Sequence, residues 1–344
     1  MKALKHLSII FLAILAMSTA HARHENCKTK PKCPTPCSCD IPKPPESSSY
    51  NQSARVGVCK AKGAFVTGSF IYWEALEQGF YLYLLKNDQS NPTRQEAVNI
   101  TYTFDPGFKV GLGYNLQYDD WTTYVEYTHY HSKNSFSKTR PSWATSQTIY
   151  WFDSNDLANE YQANLKIDLD ILDLELSRSE YRSQKLIFSP FWGLKGGVID
   201  QSFTFRAIFS SSSISNTIKS DSWLIGPRIG VYTKWLLGKG FSLNGKAAGS
   251  LNYQKFHNMH ASFQNMKIND DFVVSPIVEM LLGFNWESYF DKNYWHFDIS
   301  AGYELQVLWN QNMIIKNRIL SLNSNIDSGK LTLHGLNITA RFDF

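Results

Sequence analysis

The chain of 344 residues lacks an apolar run long enough for a membrane-spanning helix, which needs about 20 residues; Leu7 to Met17 falls well short. Charge is scarce, at 19% against about 25% in ordinary soluble domains. Lys and Arg number 34 and Asp and Glu 30, a formal charge of +4 that is too weak a bias to argue for a nucleic-acid partner. No Cys follows Cys59 and no G-x-S-x-G motif occurs. Gly238-Lys239-Gly240 reads as a turn, not a phosphate loop. These absences exclude a helical membrane protein and disfavour a soluble α/β enzyme. Aromatics are plentiful, at 15% with 10 Trp, 18 Tyr and 22 Phe, and that composition suggests an all-β chain.

Residues 1–22 read as an export signal: Lys2, Lys5 and His6, the apolar run, then Ala20-His21-Ala22 as a small-x-small cleavage site. All five cysteines lie early, at Cys27, Cys33, Cys37, Cys39 and Cys59. The Pro-rich stretch between them resists helix and sheet, so residues 23–62 are expected to form an extended, largely disordered arm. In an exported chain these thiols should oxidise, and an odd number leaves at least one for another molecule or free. The spacing Cys33-x3-Cys37-x-Cys39 is not that of a standard zinc site, so no metal and no cofactor are expected.

From residue 63 the pattern has period two. Phe108, Val110, Leu112 and Tyr114 alternate with Lys109, Gly111, Gly113 and Asn115. Trp295, Phe297, Ile299, Ala301, Tyr303, Leu305, Val307 and Trp309 alternate with polar residues from His296 to Asn310. Strict alternation marks strands with two different faces. The runs exceed the 5–6 residues of an average strand and suit a tilted transmembrane strand of about 9–11 residues. The polar face is rich in Gly, Ser, Asn and charge, as a wet lumen requires, and the other face matches a lipid-facing band.

Tight links near Asp119-Asp120, 179–184, Gly238-Lys239-Gly240 and Asp291-Lys292-Asn293 alternate with longer loops near 77–95, 137–155, 209–216, 258–270 and 316–328. Short periplasmic turns and long outer loops are the habit of outer-membrane barrels. The pattern predicts a transmembrane antiparallel up-and-down β-barrel over residues 63–344, with ten strands, or twelve if 77–104 hides another hairpin. Trp121, Trp235, Trp286 and Trp295 flank short turns, and Trp73, Trp223 and Trp309 lie toward the long loops, which predicts two aromatic girdles. A phase change from Leu169 and Ile171 to Leu172 and Leu174 predicts a bulge near Ile171. By parity, Lys109, Lys195, Arg228, Lys234, Lys246 and Arg341 face the lumen. So do Glu126, Asp168, Asp170, Asp173, Glu175, Glu279, Asp298 and Glu304. Inward glycines such as Gly111, Gly113, Gly226, Gly230 and Gly283 should leave open volume.

The last strand carries Leu336, Ile338, Ala340, Phe342 and Phe344 on one face. Its terminal Phe resembles the signal by which bacterial outer-membrane barrels reach the assembly machinery. The segments Asp105-Pro-Gly-Phe-Lys-Val-Gly-Leu-Gly-Tyr-Asn-Leu116, Pro190-Phe-Trp-Gly-Leu-Lys-Gly196, Gly226-Pro-Arg-Ile-Gly-Val231 and Ala340-Arg-Phe-Asp-Phe344 carry a further likeness. In that order along residues 63–344 they resemble the pore-forming major outer membrane proteins of Legionella and chlamydia-like bacteria. The resemblance implies a general porin among outer-membrane lipids, passing ions and small hydrophilic solutes. The Cys-rich arm, placed in the periplasm, is similar in kind to disulfide-linked envelopes and implies cross-linked envelope partners. Two rival readings stand: a plugged scaffold or adhesin using the aromatic loop 137–155, and an outer-membrane protease. For the latter, His129, His131, His257, His260, Asp270 and Asp271 are the candidates for an Asp–His couple. His129 and His131 have lipid-side parity near the outer rim, so an interfacial pair is expected instead.

Overall fold

The computed structural model describes residues 51–58, 63–88, 90, 93–116, 119–151, 156–262, 266–268, 271–315 and 328–344. In chain order the first strands are β1 (Ala64–Glu77), β2 (Tyr81–Lys86), β3 (Gln95–Asn99), β4 (Phe104–Asn115) and β5 (Trp121–Thr139). Next come β6 (Ser146–Ile149), β7 (Glu160–Arg178), β8 (Glu180–Tyr181), β9 (Leu186–Ile208) and β10 (Ser213–Gly238). The last are β11 (Phe241–Ala261), β12 (Met266–Ile268), β13 (Asp271–Phe290), β14 (Trp295–Asn312) and β15 (Gly329–Asp343).

Ten long strands pair antiparallel in the ring β1-β4-β5-β7-β9-β10-β11-β13-β14-β15, and β15 returns to β1 through a register running from Phe65–Asp343 to Glu77–Leu331. The ring is closed, so no edge is left unpaired. Among the described residues no helix is long and apolar enough to cross a membrane. The tight turns are made by residues that tolerate the left-handed region: Asp119 and Asp120 (φ 52° and 57°) between β4 and β5, and Asp291, Lys292 and Asn293 before β14.

Alternation sends one set of side chains out. Ile229 is 67% exposed and Phe284 69%, and Leu112, Leu251, Val274 and Leu282 join them in a continuous belt. A soluble monomer does not expose an apolar surface of this extent; a bilayer covers it. Trp223, Trp235, Trp295 and Trp309 are exposed on this outer face, as is Trp192, which the pattern reading missed. Trp121 and Trp286 are half-buried on outward positions. Trp73 corrects the girdle: it points inward, is fully buried, and packs on Tyr130 at 5.6 Å.

The hairpin hidden in 77–104 exists, but it does not add strands to the ring. β2 and β3 join β6 in a separate three-stranded sheet, in the order β3-β2-β6. That sheet packs on the inner wall at the long-loop end. Tyr83 stacks on Tyr161 at 3.8 Å, Phe80 meets Phe203 edge-on at 4.8 Å, and Trp151 meets Phe203 at 4.3 Å. Leu82 and Leu85 share this core with Leu165, Ile167, Leu169 and Ile199 from the wall.

This core removes the expected bulge. β7 pairs with β5 and β9 without any register shift through Ile171 and Leu172. The strand keeps its phase, and what changes is which face is apolar. Leu165, Ile167, Leu169 and Ile171 point into the core, whereas Leu172, Leu174 and Leu176 point out. Asp168 and Asp170 therefore lie on the outer face, which corrects their assignment to the lumen. At two of the inward glycines an aromatic ring fills the space expected to stay open. The ring of Phe65 covers Gly113 across the strand pair, and that of Phe191 covers Gly230, so a Cβ would fall 1.9 and 2.4 Å from their Cζ atoms.

Candidate functional site

Below the apolar core, charged side chains from eight strands meet inside the barrel. Arg228 on β10 is the hub: it donates to Glu175 on β7, and its Nη2 donates to Glu279 on β13 at 2.6 Å. Lys195 on β9 bridges Asp173 (2.8 Å) and Glu279 (3.0 Å). Lys109 on β4 donates to both oxygens of Glu304 on β14, at 2.7 and 3.0 Å. Asn337 and Gln306 complete the shell of Glu304 at 2.6 and 2.9 Å. Tyr232 donates to Glu175 at 2.9 Å. Burying charge is unfavourable unless each group finds partners, and this belt supplies them between the neighbouring strands β7 and β9 for Asp173–Lys195 and across non-adjacent strands for Arg228 and Lys109. The pair Glu279–Lys246, adjacent in the sheet, is the loose one at 3.7 Å.

Beneath the belt lies a cavity of about 780 Å³. Lys109, Glu126, Glu175, Tyr232, Lys246 and Glu304 form its roof. It extends to the tight-turn end, where Tyr181, Asn293 and Arg341 line it. Lys234 sits at that end between Glu287 (2.5 Å) and Asp298 (3.4 Å), and Arg341 pairs with Asp343 at 2.6 Å. Thus of the residues expected in the lumen, Lys109, Glu126, Lys195, Arg228, Lys234, Lys246, Glu279, Asp298 and Glu304 are inside, with Asp173, Glu175 and Arg341, and Asp168 and Asp170 are not.

Residues 51–58 follow the rim of this cavity. Ala54 N–H donates to Ser179 O (2.9 Å), Tyr181 N–H to Gln52 O (2.9 Å), and Arg55 Nη1 to Leu116 O (2.7 Å). Arg55, Val56, Gly57 and Val58 face the cavity. Unlike the Pro- and Cys-rich stretch before them, residues 51–58 contain neither Pro nor Cys. The cysteines Cys27, Cys33, Cys37, Cys39 and Cys59 lie outside the described residues.

The histidines proposed for hydrolysis stand elsewhere. His129 Nδ1 meets Asp170 at 2.8 Å and His131 Nδ1 meets Asp168, both on the outer face of β5 and β7. His257 pairs in register with Asp221, also on an outward position. His260 and Asp271 occupy strand ends at the long-loop side, and Asp270 lies outside the described residues. The Asp–His couples thus face the lipid interface, not a cleft within the mouth. Among the described residues no three His, Cys, Asp or Glu side chains converge as metal ligands. Phe342 stacks on Trp295 at 5.2 Å on the outer face beside Phe344.

Glu77, at the outer end of β1, lies beyond Tyr72, the last exposed apolar residue of that strand, and so outside the lipid-covered band. Its carboxyl is buried in the core and accepts a hydrogen bond from Gln201. Burial pushes its pKa up to about 8, against the smaller opposing effect of that bond.

Three solved structures align with much of this chain at low similarity. The outer membrane protease OmpT of Escherichia coli aligns over 85% of this chain and 99% of its own, with 10% identity and a TM-score of 0.42. Ail, the attachment invasion locus protein of Yersinia pestis, aligns over 81% and 99%, with 10% identity and a TM-score of 0.23. A FadL homologue of Pseudomonas aeruginosa aligns over 82% and 89%, with 9% identity and a TM-score of 0.26. No curated protein matches the chain. The family model described as the Legionella pneumophila major outer membrane protein precursor matches residues 58–344, and the chain, a closed outer-membrane β-barrel, belongs to that family.

Proposed function

We propose that the protein is an outer-membrane channel for ions and small hydrophilic solutes whose outer mouth is shut by the β2–β3–β6 sheet. The observation that carries this reading is the division of the lumen. Its inner half is a polar cavity of about 780 Å³ lined by charge and hydroxyl groups, and its outer half is filled by an apolar core flanked by buried polar side chains such as Asn252, Gln254 and Gln311. Ten strands stand between the eight whose interior side chains fill and the sixteen to eighteen that leave an aqueous channel. The inserted sheet then decides whether solute passes. The Cys-rich arm, in the periplasm, tethers the barrel to disulfide-linked envelope partners, and the terminal Phe344 serves recognition by the assembly machinery.

The test is current across a planar bilayer. The whole barrel should conduct rarely and in small steps. A variant with residues 80–100 replaced by a short Gly-Ser link should conduct steadily in large steps. A folded variant that stays silent would favour the scaffold reading, to which the apolar core lends the one specific observation.

A further inference from the structure

The charges in the belt are not equally well held. Lys109, Lys195 and Arg228 each have a carboxylate oxygen at 3.0 Å or closer. Lys246 does not: its two acids stand at 3.7 and 4.0 Å, and both are already bound by Arg228. The second exception has the opposite sign. Among the described residues the cation nearest to Glu126 is Lys109, at 4.0 Å, itself committed to Glu304, while Lys246 attracts it from farther off. A single hydrogen bond from Tyr124 Oη at 2.9 Å supplements it. These two side chains are also the most open in the belt, at 10% and 12% exposed against 5% or less for the other members.

Both line the roof of the same cavity. They rise from β11 and β5, four strands apart in a ring of ten, so they approach from separate walls. Hydroxyls lie beside each: Lys246 Nζ is 5.3 Å from the ring of Tyr232, and Tyr124 Oη also meets Thr67 Oγ1 at 2.7 Å. A buried ammonium and a buried carboxylate, each short of partners, favour a guest that carries the complementary group to each. A neutral sugar satisfies the hydroxyls but neither charge, and a simple ion satisfies one charge only.

We propose that the roof of the cavity is a binding subsite for a small zwitterion, with the solute's anionic group on Lys246 and its ammonium on Glu126. The proposal rests on the reading of the cavity as solute-accessible. It is tested by titrating the folded full-length barrel in detergent micelles with L-alanine, acetate, ethylammonium and D-glucose, following heat and tyrosine-ring chemical shifts. L-Alanine should saturate the site at least tenfold more tightly than the other three. Lys246→Met and Glu126→Gln should each weaken it about tenfold, and Lys246→Arg should retain it. The exchanged pair Lys246→Glu with Glu126→Lys should recover part of the loss. Heat-modified gel mobility confirms that each variant is folded. No saturation by L-alanine in the folded barrel, equal binding of D-glucose, or indifference to both single substitutions would overturn the proposal. Because binding is read without current, a silent bilayer together with saturable L-alanine binding would remove the channel and keep the subsite.

Discussion

Arg228 is buried among three carboxylates, whereas His131 and Asp168 are each half exposed on the outer wall. The two pairings should respond very differently to loss of one partner. Arg228→Met takes the one close cation from Glu175 and leaves Glu279 to Lys195, and is expected to cost about 3–5 kcal/mol; Asp168→Ala is expected to cost at most about 1 kcal/mol. Urea unfolding of the vesicle-inserted barrel measures both. Glu77 adds a pH dependence. Its pKa is raised from 4.5 to about 8 on folding, so the folded state favours the neutral acid. Its contribution is complete below about pH 4.5 and is lost as pH rises toward 8, after which the loss levels off. The inserted sheet should therefore loosen between about pH 4.5 and 8, seen as rising bilayer current, and Glu77→Gln should remove that rise. Parity in the sequence identifies which residues share a face, and it placed Lys109, Lys195, Arg228, Glu279 and Glu304 correctly. It could not tell lumen from lipid where both were apolar, which is why Asp168 and Asp170 were assigned to the wrong side.

At the scale of the element, the strands were legible because each crosses an environment that changes only from face to face. β4 and β14 appear where the alternation puts them. β7 was harder because its inner face turns apolar halfway along, and a change of partner looks in sequence like a change of phase. β2 was illegible for a related reason: Tyr81-Leu82-Tyr83-Leu84-Leu85 has no polar face, being packed into the lumen rather than set between lipid and water. The aromatic-over-glycine contacts give a direct test. Gly113→Val should lower stability by about 1–3 kcal/mol through overlap with Phe65. Phe65→Ala in the same chain should relieve much of that loss, giving a favourable coupling in a double-mutant cycle.

For the whole molecule, three layers follow along the barrel axis: an apolar core at the long-loop end, an ion-paired belt, and a polar cavity at the tight-turn end. Composition and alternation disclose the cylinder and the charge inside it. They do not disclose the core, because contacts such as Tyr83 with Tyr161 and Phe80 with Phe203 join segments far apart in sequence. The central claim is that the cavity opens to the tight-turn side and is sealed from the long-loop side. Its most direct test is the accessibility of Asn244→Cys, which lines the cavity, in a chain whose five native cysteines are changed to Ser. A membrane-impermeant thiol reagent applied to intact cells should leave this cysteine unlabelled, and the same reagent admitted to the periplasm should label it. Rapid labelling from outside in the intact barrel would contradict the account.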